Sequence, residues 1–262
     1  MSYQKFVIIS YLRSGTHLLR TALESHPHIV CQTEVFNSDN PNLPYSLSLS
    51  SQQVLDDWVY NKIPTQTSHV GFVLQAYHPF SLKAFPGIKA NARWNDIWTI
   101  LKEIPDLKVI HLRRENLLRR HLSHVRARDS QQWHNWDARQ LQHISLLEAP
   151  PNAHIDQYKK PSTSLTLDEN RLHQDFTEVN EWHQRAELHF GDHHTCDVLY
   201  ESLQHNFQNE CARVLKFLGA SPYTLSGGVR KLENRPLSEC ITNYHILKNT
   251  FAGSPWQHYF ED

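Results

Sequence analysis

Short apolar runs alternate along the chain with longer segments in which apolar residues recur every three or four positions. The short runs are typical of strands in a parallel sheet, which are buried on both faces. They lie at 5–10, 28–31, 70–76, 108–112 and 195–200. The longer segments are typical of helices that bury one face. They lie at 18–23, 52–60, 94–104, 113–130, 168–190, 205–218 and 237–250.

This alternation predicts an α/β fold with a central parallel sheet flanked by helices. The chain has 262 residues, of which 39% are hydrophobic and 20% are charged. These totals suit one large globular domain, and neither an internal repeat nor a low-complexity linker divides the sequence. We therefore expect a single domain over residues 1–262.

The charge balance limits the classes of partner. The formal net charge is -1, so the chain has no general attraction to nucleic acid or to anionic lipid, and phosphate binding must depend on local basic clusters. The first apolar run, Phe6 to Ile9, has the length of a strand and lacks the layout of a membrane span or a signal peptide. We expect a cytoplasmic protein without a membrane span or a nucleic acid partner.

The cysteines and histidines do not form a metal-binding pattern. The four cysteines are far apart and contain no CxxC pair, so buried free thiols are expected; they are Cys31, Cys196, Cys211 and Cys240. The segment HFGDHHTC, at 189–196, places His189 and His193 four positions apart. Gly191 and Asp192 lie between them and predict a turn instead of one helical face. We predict no metal site.

The segment YLRSGTHLL, at 11–19, carries the first candidate site. A strand that ends in a Ser-Gly-Thr turn and leads into a helix directs backbone N–H groups, hydroxyls and the positive end of the helix dipole toward one point, which suits an anion. Arg13 adds a planar donor group for phosphate or sulfate oxygens, and Gly15 permits close approach of the backbone. The alternative for Ser14 and Thr16 is that they only cap the helix.

The loop does not have the Walker A pattern GxxxxGK[ST], because its basic residue precedes the glycine. Nucleotide hydrolysis loses support for that reason.

A second candidate site follows the strand at 108–112. Arg113 and Arg114 lie at its carboxyl end, where open α/β sheets bind ligands, and Ser123 lies on the following helix. The other arginines of this basic helix are predicted to form a solvated face, which is the usual meaning of such charge runs. They are Arg119, Arg120, Arg126 and Arg128.

Both segments resemble motifs of the sulfotransferases that use 3'-phosphoadenosine 5'-phosphosulfate (PAPS). In that family a basic residue, Ser, Gly and Ser/Thr surround the 5'-phosphosulfate, while an arginine at a strand end and a serine about two helical turns later hold the 3'-phosphate. The segments VLYESLQHNFQNECARVLKFLGA, at 198–220, and LSECITNYHIL resemble two further family motifs. The resemblance covers 5–36, 108–128 and 197–250.

The resemblance implies a P-loop-like sulfotransferase fold, PAPS as cofactor and its desulfated form, PAP, as product. The residues that it implies around the 5'-phosphosulfate are Arg13, Ser14, Gly15, Thr16 and His17. It further implies that Arg114 and Ser123 hold the 3'-phosphate. Their spacing of nine residues is one longer than the commonest family spacing, so Arg113 is the alternative arginine. Lys231, in GGVRKLENRP, is a candidate to close over the cofactor from a late loop.

Two residues are candidates for the general base. Glu34, in CQTEVF, resembles the Glu of a Glu-x-Phe segment in a group of bacterial sulfotransferases, where that residue is thought to deprotonate the acceptor. His17 is the alternative, since an unperturbed histidine titrates near neutrality. Together with Arg13, these residues form the predicted catalytic set. The expected reaction is in-line transfer of a sulfuryl group without a metal.

The acceptor is expected to present a hydroxyl or an amine and to be a small molecule or a glycan. Several tryptophans are candidates to line its pocket, although tryptophans more often serve the core. They are Trp94, Trp98, Trp133, Trp136 and Trp182. Two other functions stay open at this point: a P-loop-like small-molecule kinase, which would require Mg²⁺ and ATP, and a non-catalytic nucleotide-binding module.

Overall fold

A parallel sheet forms the centre of the molecule. The computed structural model describes residues 3–37, 43, 45–61, 63–76, 94–130, 163–229 and 233–261. Within these ranges the strands are β1 (Gln4–Ser10), β2 (Ile29–Gln32), β3 (His69–Gln75), β4 (Lys108–Arg113) and β5 (His194–Leu199). They form one sheet in the order β2-β3-β1-β4-β5, and every neighbouring pair is parallel. The predicted α/β fold with a central parallel sheet is confirmed.

The register brings three strand ends together. In the central strand β1, Ser10 pairs with Gln75 of β3 on one side and with Leu112 of β4 on the other. The carboxyl ends of these strands therefore lie side by side at one edge of the sheet. Chain segments that leave them, including 11–15 and the residues after Arg113, begin at neighbouring points.

Helices cover both faces of the sheet. They are α1 (Thr16–Glu24), α2 (Ser51–Val54), which continues into a π-helical turn (Leu55–Val59), α3 (Ile97–Glu103), α4 (Leu117–Ser130), α5 (Glu169–His189), α6 (Tyr200–His205), α7 (Phe207–Leu218), α8 (Leu237–Cys240) and α9 (Tyr244–Thr250). A 3-10 turn, Gln257–Phe260, follows.

Alternate strand residues enter two different hydrophobic cores, as a strand buried on both faces requires. In β1, Val7 and Ile9 join the core that includes α3, α4 and α5. Phe6 and Ile8 join the core that includes α1 and α7. The sheet is therefore the middle layer of three.

The predicted helix at 205–218 is confirmed as α7, which begins after Asn206, whereas the prediction of one continuous helix at 237–250 was wrong. Asn206 leaves helical geometry with φ -139° and ψ 51° and separates α6 from α7. Between α8 and α9, the backbone around Ile241 forms a bridge with Leu165 instead of continuing the helix. Leu165 donates its N–H to the Cys240 carbonyl oxygen at 2.9 Å and accepts the Thr242 N–H at 2.9 Å.

The prediction of a solvated basic face on α4 was wrong for three of its four arginines, whereas Arg128 is exposed. The Arg120 side chain is fully buried and forms an ion pair with Asp175 of α5, which is also fully buried. Arg126 pairs with Glu233, and Arg119 donates to the Arg235 carbonyl oxygen at 3.3 Å. Acidic and carbonyl groups from distant parts of the chain thus cover most of this face.

The cysteine prediction is confirmed, because all four are buried and free of disulfides. Among the histidines of the 189–196 segment, His189 hydrogen-bonds the Trp98 carbonyl oxygen at 3.0 Å. Within the described ranges no group of His, Cys, Asp and Glu side chains is arranged to hold a metal ion. In the same ranges, no helix combines the length and the apolar character that a membrane span requires.

We expect acid to destabilise the fold below about pH 6.5, because His111 is buried in its neutral form. Burial, and secondarily the charge of Arg113, lower the pKa of His111 to about 3, whereas a histidine in an unfolded chain titrates near pH 6.5. Between about pH 3 and pH 6.5, His111 binds a proton only in the unfolded state. The free energy of unfolding should therefore fall by about 1.4 kcal/mol per pH unit for this residue alone.

Urea unfolding at pH 7.5 and pH 5.5 measures this dependence. His111→Gln should show a shallower decrease than the unsubstituted chain. Equal decreases in the two proteins would contradict the assignment of a buried neutral imidazole.

Candidate active site

The loop after β1 reverses the chain with two left-handed residues. Arg13 has φ 64° and Gly15 has φ 91°, a region that only glycine adopts without strain. Gly15 is the N-cap of α1, so neither neighbouring hydroxyl serves as the cap. The Ser14 Oγ atom is buried and has no hydrogen-bond partner among the described residues. The loop therefore presents a buried hydroxyl and the first-turn N–H groups of α1 without using the hydroxyl in capping.

Arg13 and Ser123 meet across the sheet edge. The Arg13 Nε–H donates to the Ser123 Oγ at 3.1 Å, although the two residues are 110 positions apart. Arg114 joins them, because its Nη1 donates to the Arg13 carbonyl oxygen at 3.2 Å. The two predicted anion-binding segments thus form one continuous group of donors.

Tyr200, at the start of α6, packs against both Arg114 and the loop after β1. The Arg114 guanidinium carbon lies 4.6 Å from the centre of the Tyr200 ring. The other part of the ring packs against Gly15, where a Cβ atom would come within 2.4 Å of Tyr200 Cδ2. The next residue, Glu201, accepts the backbone N–H groups of Glu115 and Asn116 at 3.0 and 3.3 Å.

Tyr200 was missing from the predicted site residues. Its signal in the sequence was its place in the 198–220 segment that resembles a family motif. A contact between residues this far apart in the chain cannot be derived from local pattern.

The two arginines after β4 have different surroundings. Arg113 forms ion pairs with Glu187 and Asp197. Arg114 instead lies against the Arg13 loop and the Tyr200 ring. This placement favours Arg114 as the ligand-binding arginine.

The site is electrostatically prepared for an anion. Burial and the nearby positive charge of Arg114 lower the pKa of Arg13 to about 10, so both groups are still protonated near neutral pH. Burial also lowers the pKa of Arg114, against the opposing effects of Tyr200 and Glu201. Two partly desolvated cations repel each other, and an anion bound between them would relieve that repulsion.

Both candidate bases lie beside the loop. The Glu34 Oε1 atom is 3.7 Å from the His17 Nε2 atom. Asn37 Nδ2 donates to Glu34 Oε2 at 3.2 Å, and Gln75 Nε2 donates to Glu34 Oε1. Gln75 Nε2 is also 3.5 Å from Thr16 Oγ1. Gln75 therefore connects the Glu34 carboxylate to the end of the loop that contains Arg13.

Three of the predicted tryptophans do not contribute to this group. Trp94, Trp98 and Trp182 are 5%, 4% and 2% exposed and belong to the hydrophobic core, which is the alternative that their residue type favours. Lys231, Trp133 and Trp136 lie outside the described residues.

The fold and the loop agree with a known class of protein. A family model described as "Sulfotransferase family" matches residues 5–224. This match includes the Arg13 loop, Glu34, Ser123 and Tyr200. The chain therefore belongs to the sulfotransferase family.

Individual proteins are similar to the chain over nearly its whole length. The chain is 28% identical to Nodulation protein H of Rhizobium meliloti over 260 residues, which cover 98% of this chain and 94% of that protein. It is 29% identical to Nodulation protein H of Rhizobium tropici over 266 residues, which cover 99% and 94%. A crystal structure of a sulfotransferase from Alicyclobacillus acidocaldarius matches with a TM-score of 0.52 and 15% identity, over 100% of this chain and 95% of that chain. At that identity the likeness concerns the fold.

We expect Gly15→Ala to destabilise the protein more than Gly253→Ala. Both glycines have left-handed φ angles, 91° and 76°, so an alanine at either position costs about 1 to 2 kcal/mol of strain. At Gly15 the new Cβ would also collide with the Tyr200 ring, whereas nothing lies within 4 Å at Gly253. Denaturant unfolding compares the two variants, and equal losses of stability would contradict the tight packing of Tyr200 under the loop.

Proposed function

We propose that the protein transfers a sulfuryl group from PAPS to a hydroxyl or amine of a small-molecule or glycan acceptor. One observation supports this proposal most strongly: Arg13, Arg114 and Ser123 form a single donor group at the carboxyl edge of the sheet. PAPS carries phosphate groups at the 3' and 5' positions of one ribose, so it needs two anion sites that lie close together. We also propose that the whole chain, residues 1–262, forms one sulfotransferase domain.

The residues present fit such a donor. The buried Ser14 hydroxyl, which has no partner in the part of the chain that the structure describes, would gain an acceptor from the 5'-phosphosulfate. At Gly15 any side chain would meet Tyr200, so only glycine lets the loop pack against that ring in this conformation. Arg114 and Ser123 would hold the 3'-phosphate.

The chemistry that we propose is an in-line displacement. The acceptor oxygen or nitrogen bonds to sulfur while the bond between sulfur and the 5'-phosphate oxygen breaks, and PAP leaves. Arg13 and the backbone N–H groups at 14–16 stabilise the negative charge that develops on the oxygens, in the manner of phosphoryl-transfer sites.

The acceptor's proton goes to Glu34 or to His17. The two side chains lie 3.7 Å apart, beside the same loop. We favour Glu34 as the acceptor of the proton, because Gln75 and Asn37 donate hydrogen bonds that support its ionised form. His17 then serves to bind the transferring group.

Removing either half of the donor group should weaken PAP binding. We expect Arg13→Ala and Ser123→Ala to raise the dissociation constant of PAP about tenfold or more, because charged hydrogen bonds contribute about 1.5 to 3 kcal/mol. Isothermal titration calorimetry measures the change. Arg128→Ala and Ser130→Ala are the matched controls, since both residues are exposed on the same helix; unchanged PAP affinity in both site variants would reject the assignment of the donor.

Glu34→Gln should abolish transfer and leave PAP binding intact. The substitution keeps the shape of the side chain but removes its ability to accept a proton, an effect worth about 10² to 10⁴ in rate. Radiolabelled sulfate transfer from PAPS to a panel of glycans and small hydroxyl or amine compounds provides the assay. Transfer at the unsubstituted rate would place the base elsewhere, and His17→Asn then becomes the decisive variant.

The same assay separates the other candidate functions. A kinase would transfer phosphate from ATP and require Mg²⁺, and a binding module would bind PAP without any transfer. Each reaction is run with and without Mg²⁺ in parallel.

A further inference from the structure

Gln75 is a buried amide at the carboxyl end of β3. Its side chain is 4% exposed, and its backbone is in register with Ser10, the last residue of β1. A long polar side chain loses conformational freedom and hydration when it is buried. We therefore expect such a residue, at this edge of the sheet, to have a specific hydrogen-bond partner that offsets this cost.

Two contacts of Gln75 reach the two parts of the proposed site. Its Nε2 atom donates to Glu34 Oε1 and lies 3.5 Å from Thr16 Oγ1. Thr16 is the first residue of α1, directly after Gly15. One amide thus connects the proposed base to the loop that would hold the transferring group.

A hydrogen bond donated to a carboxylate favours its ionised form and fixes its direction. Glu34 can accept a proton only while it is ionised. It must also stay within hydrogen-bond reach of an acceptor that attacks beside the loop. The amide of Gln75 is suited to both requirements, because it donates without carrying a charge that could itself titrate.

We propose that Gln75 is a positioning residue for sulfuryl transfer, which keeps Glu34 ionised and aligned with the Arg13 loop. This inference rests on the proposed function, in which Glu34 takes the proton of the acceptor. Gln75 itself does not take part in bond formation or proton transfer. Its contribution should therefore appear in kcat and in the pH dependence, and not in nucleotide affinity.

Gln75→Leu removes the donor while keeping a side chain of similar size. We expect kcat to fall about tenfold to a hundredfold, with the dissociation constant of PAP unchanged within twofold. The acidic limb of the kcat/KM profile should move upward by about one pH unit, because Glu34 loses a hydrogen bond to its ionised form. Gln75→Asn, which shortens the side chain by one methylene, should shift the limb in the same direction and serves as a second variant should Gln75→Leu fold poorly.

His69→Leu is the matched control for loss of a buried polar side chain. His69 is at the opposite end of the same strand, is 6% exposed and hydrogen-bonds the Leu218 carbonyl oxygen. Six positions along a strand return to the same face, about 20 Å away. This variant should lose stability but keep the pH profile and kcat of the unsubstituted chain.

A carboxyl titration tests the contact without relying on activity. Carbon NMR of glutamate-labelled protein gives the pKa of Glu34 in each variant. The Glu34 signal is assigned by its loss in Glu34→Gln. We expect a higher value in Gln75→Leu than in the unsubstituted chain and in His69→Leu. The same Glu34 pKa in all three proteins would overturn the inference.

The two proposals fail in distinguishable ways. Absence of any sulfate transfer by the unsubstituted chain would reject the proposed function, and the titration would still decide whether Gln75 controls the Glu34 carboxylate. Normal transfer and an unshifted pH profile in Gln75→Leu, alongside an inactive Glu34→Gln, would reject the role of Gln75 alone.

Discussion

The hydrogen bond from Arg13 Nε to Ser123 Oγ depends on the position of β1 beside β4. These strands are parallel neighbours, with Ser10 opposite Leu112, so the loop that leaves one strand and the helix that follows the other begin at the same edge. A strand between them would separate the two residues by an additional interstrand spacing of about 4.8 Å. The central place of β1 in the sheet therefore determines whether the two proposed anion sites lie side by side.

A second layer of buried charge supports this edge. Arg120 is fully buried, pairs with Asp175 and donates to the Leu12 carbonyl oxygen at 3.4 Å, directly before Arg13. His121 Nδ1 lies 3.0 Å from the same Asp175 oxygen. Buried ion pairs of this kind contribute little net stability. Their effect here is to fix the backbone next to Arg13, whose φ of 64° is strained.

The sequence predicted the strands well, because burial on both faces produces compact apolar runs that local pattern detects. All five lie within one residue or two of their predicted places. The short helix α6 before Asn206 and the break at Ile241 were missed; the break depends on a bridge to Leu165, more than seventy positions away. The burial of Arg120 was missed for the same reason: its partner belongs to another helix, and no local pattern pairs the two.

The site residues likewise divide into those that local motifs identify and those that only contacts between distant segments reveal. Arg13, Gly15 and Glu34 were identified from motifs, and the structure brings them together with Ser123. Gln75 and Tyr200 contribute through contacts that link separate strand ends, and only the sheet order reveals these contacts.

A double-substitution cycle on Arg13 and Ser123, measured as PAP affinity by calorimetry, tests the central claim of two linked anion sites most directly. We expect a coupling free energy of about 1 kcal/mol or more between the two alanine substitutions, as for residues within one hydrogen-bonded network. Additive effects of the two substitutions would contradict it.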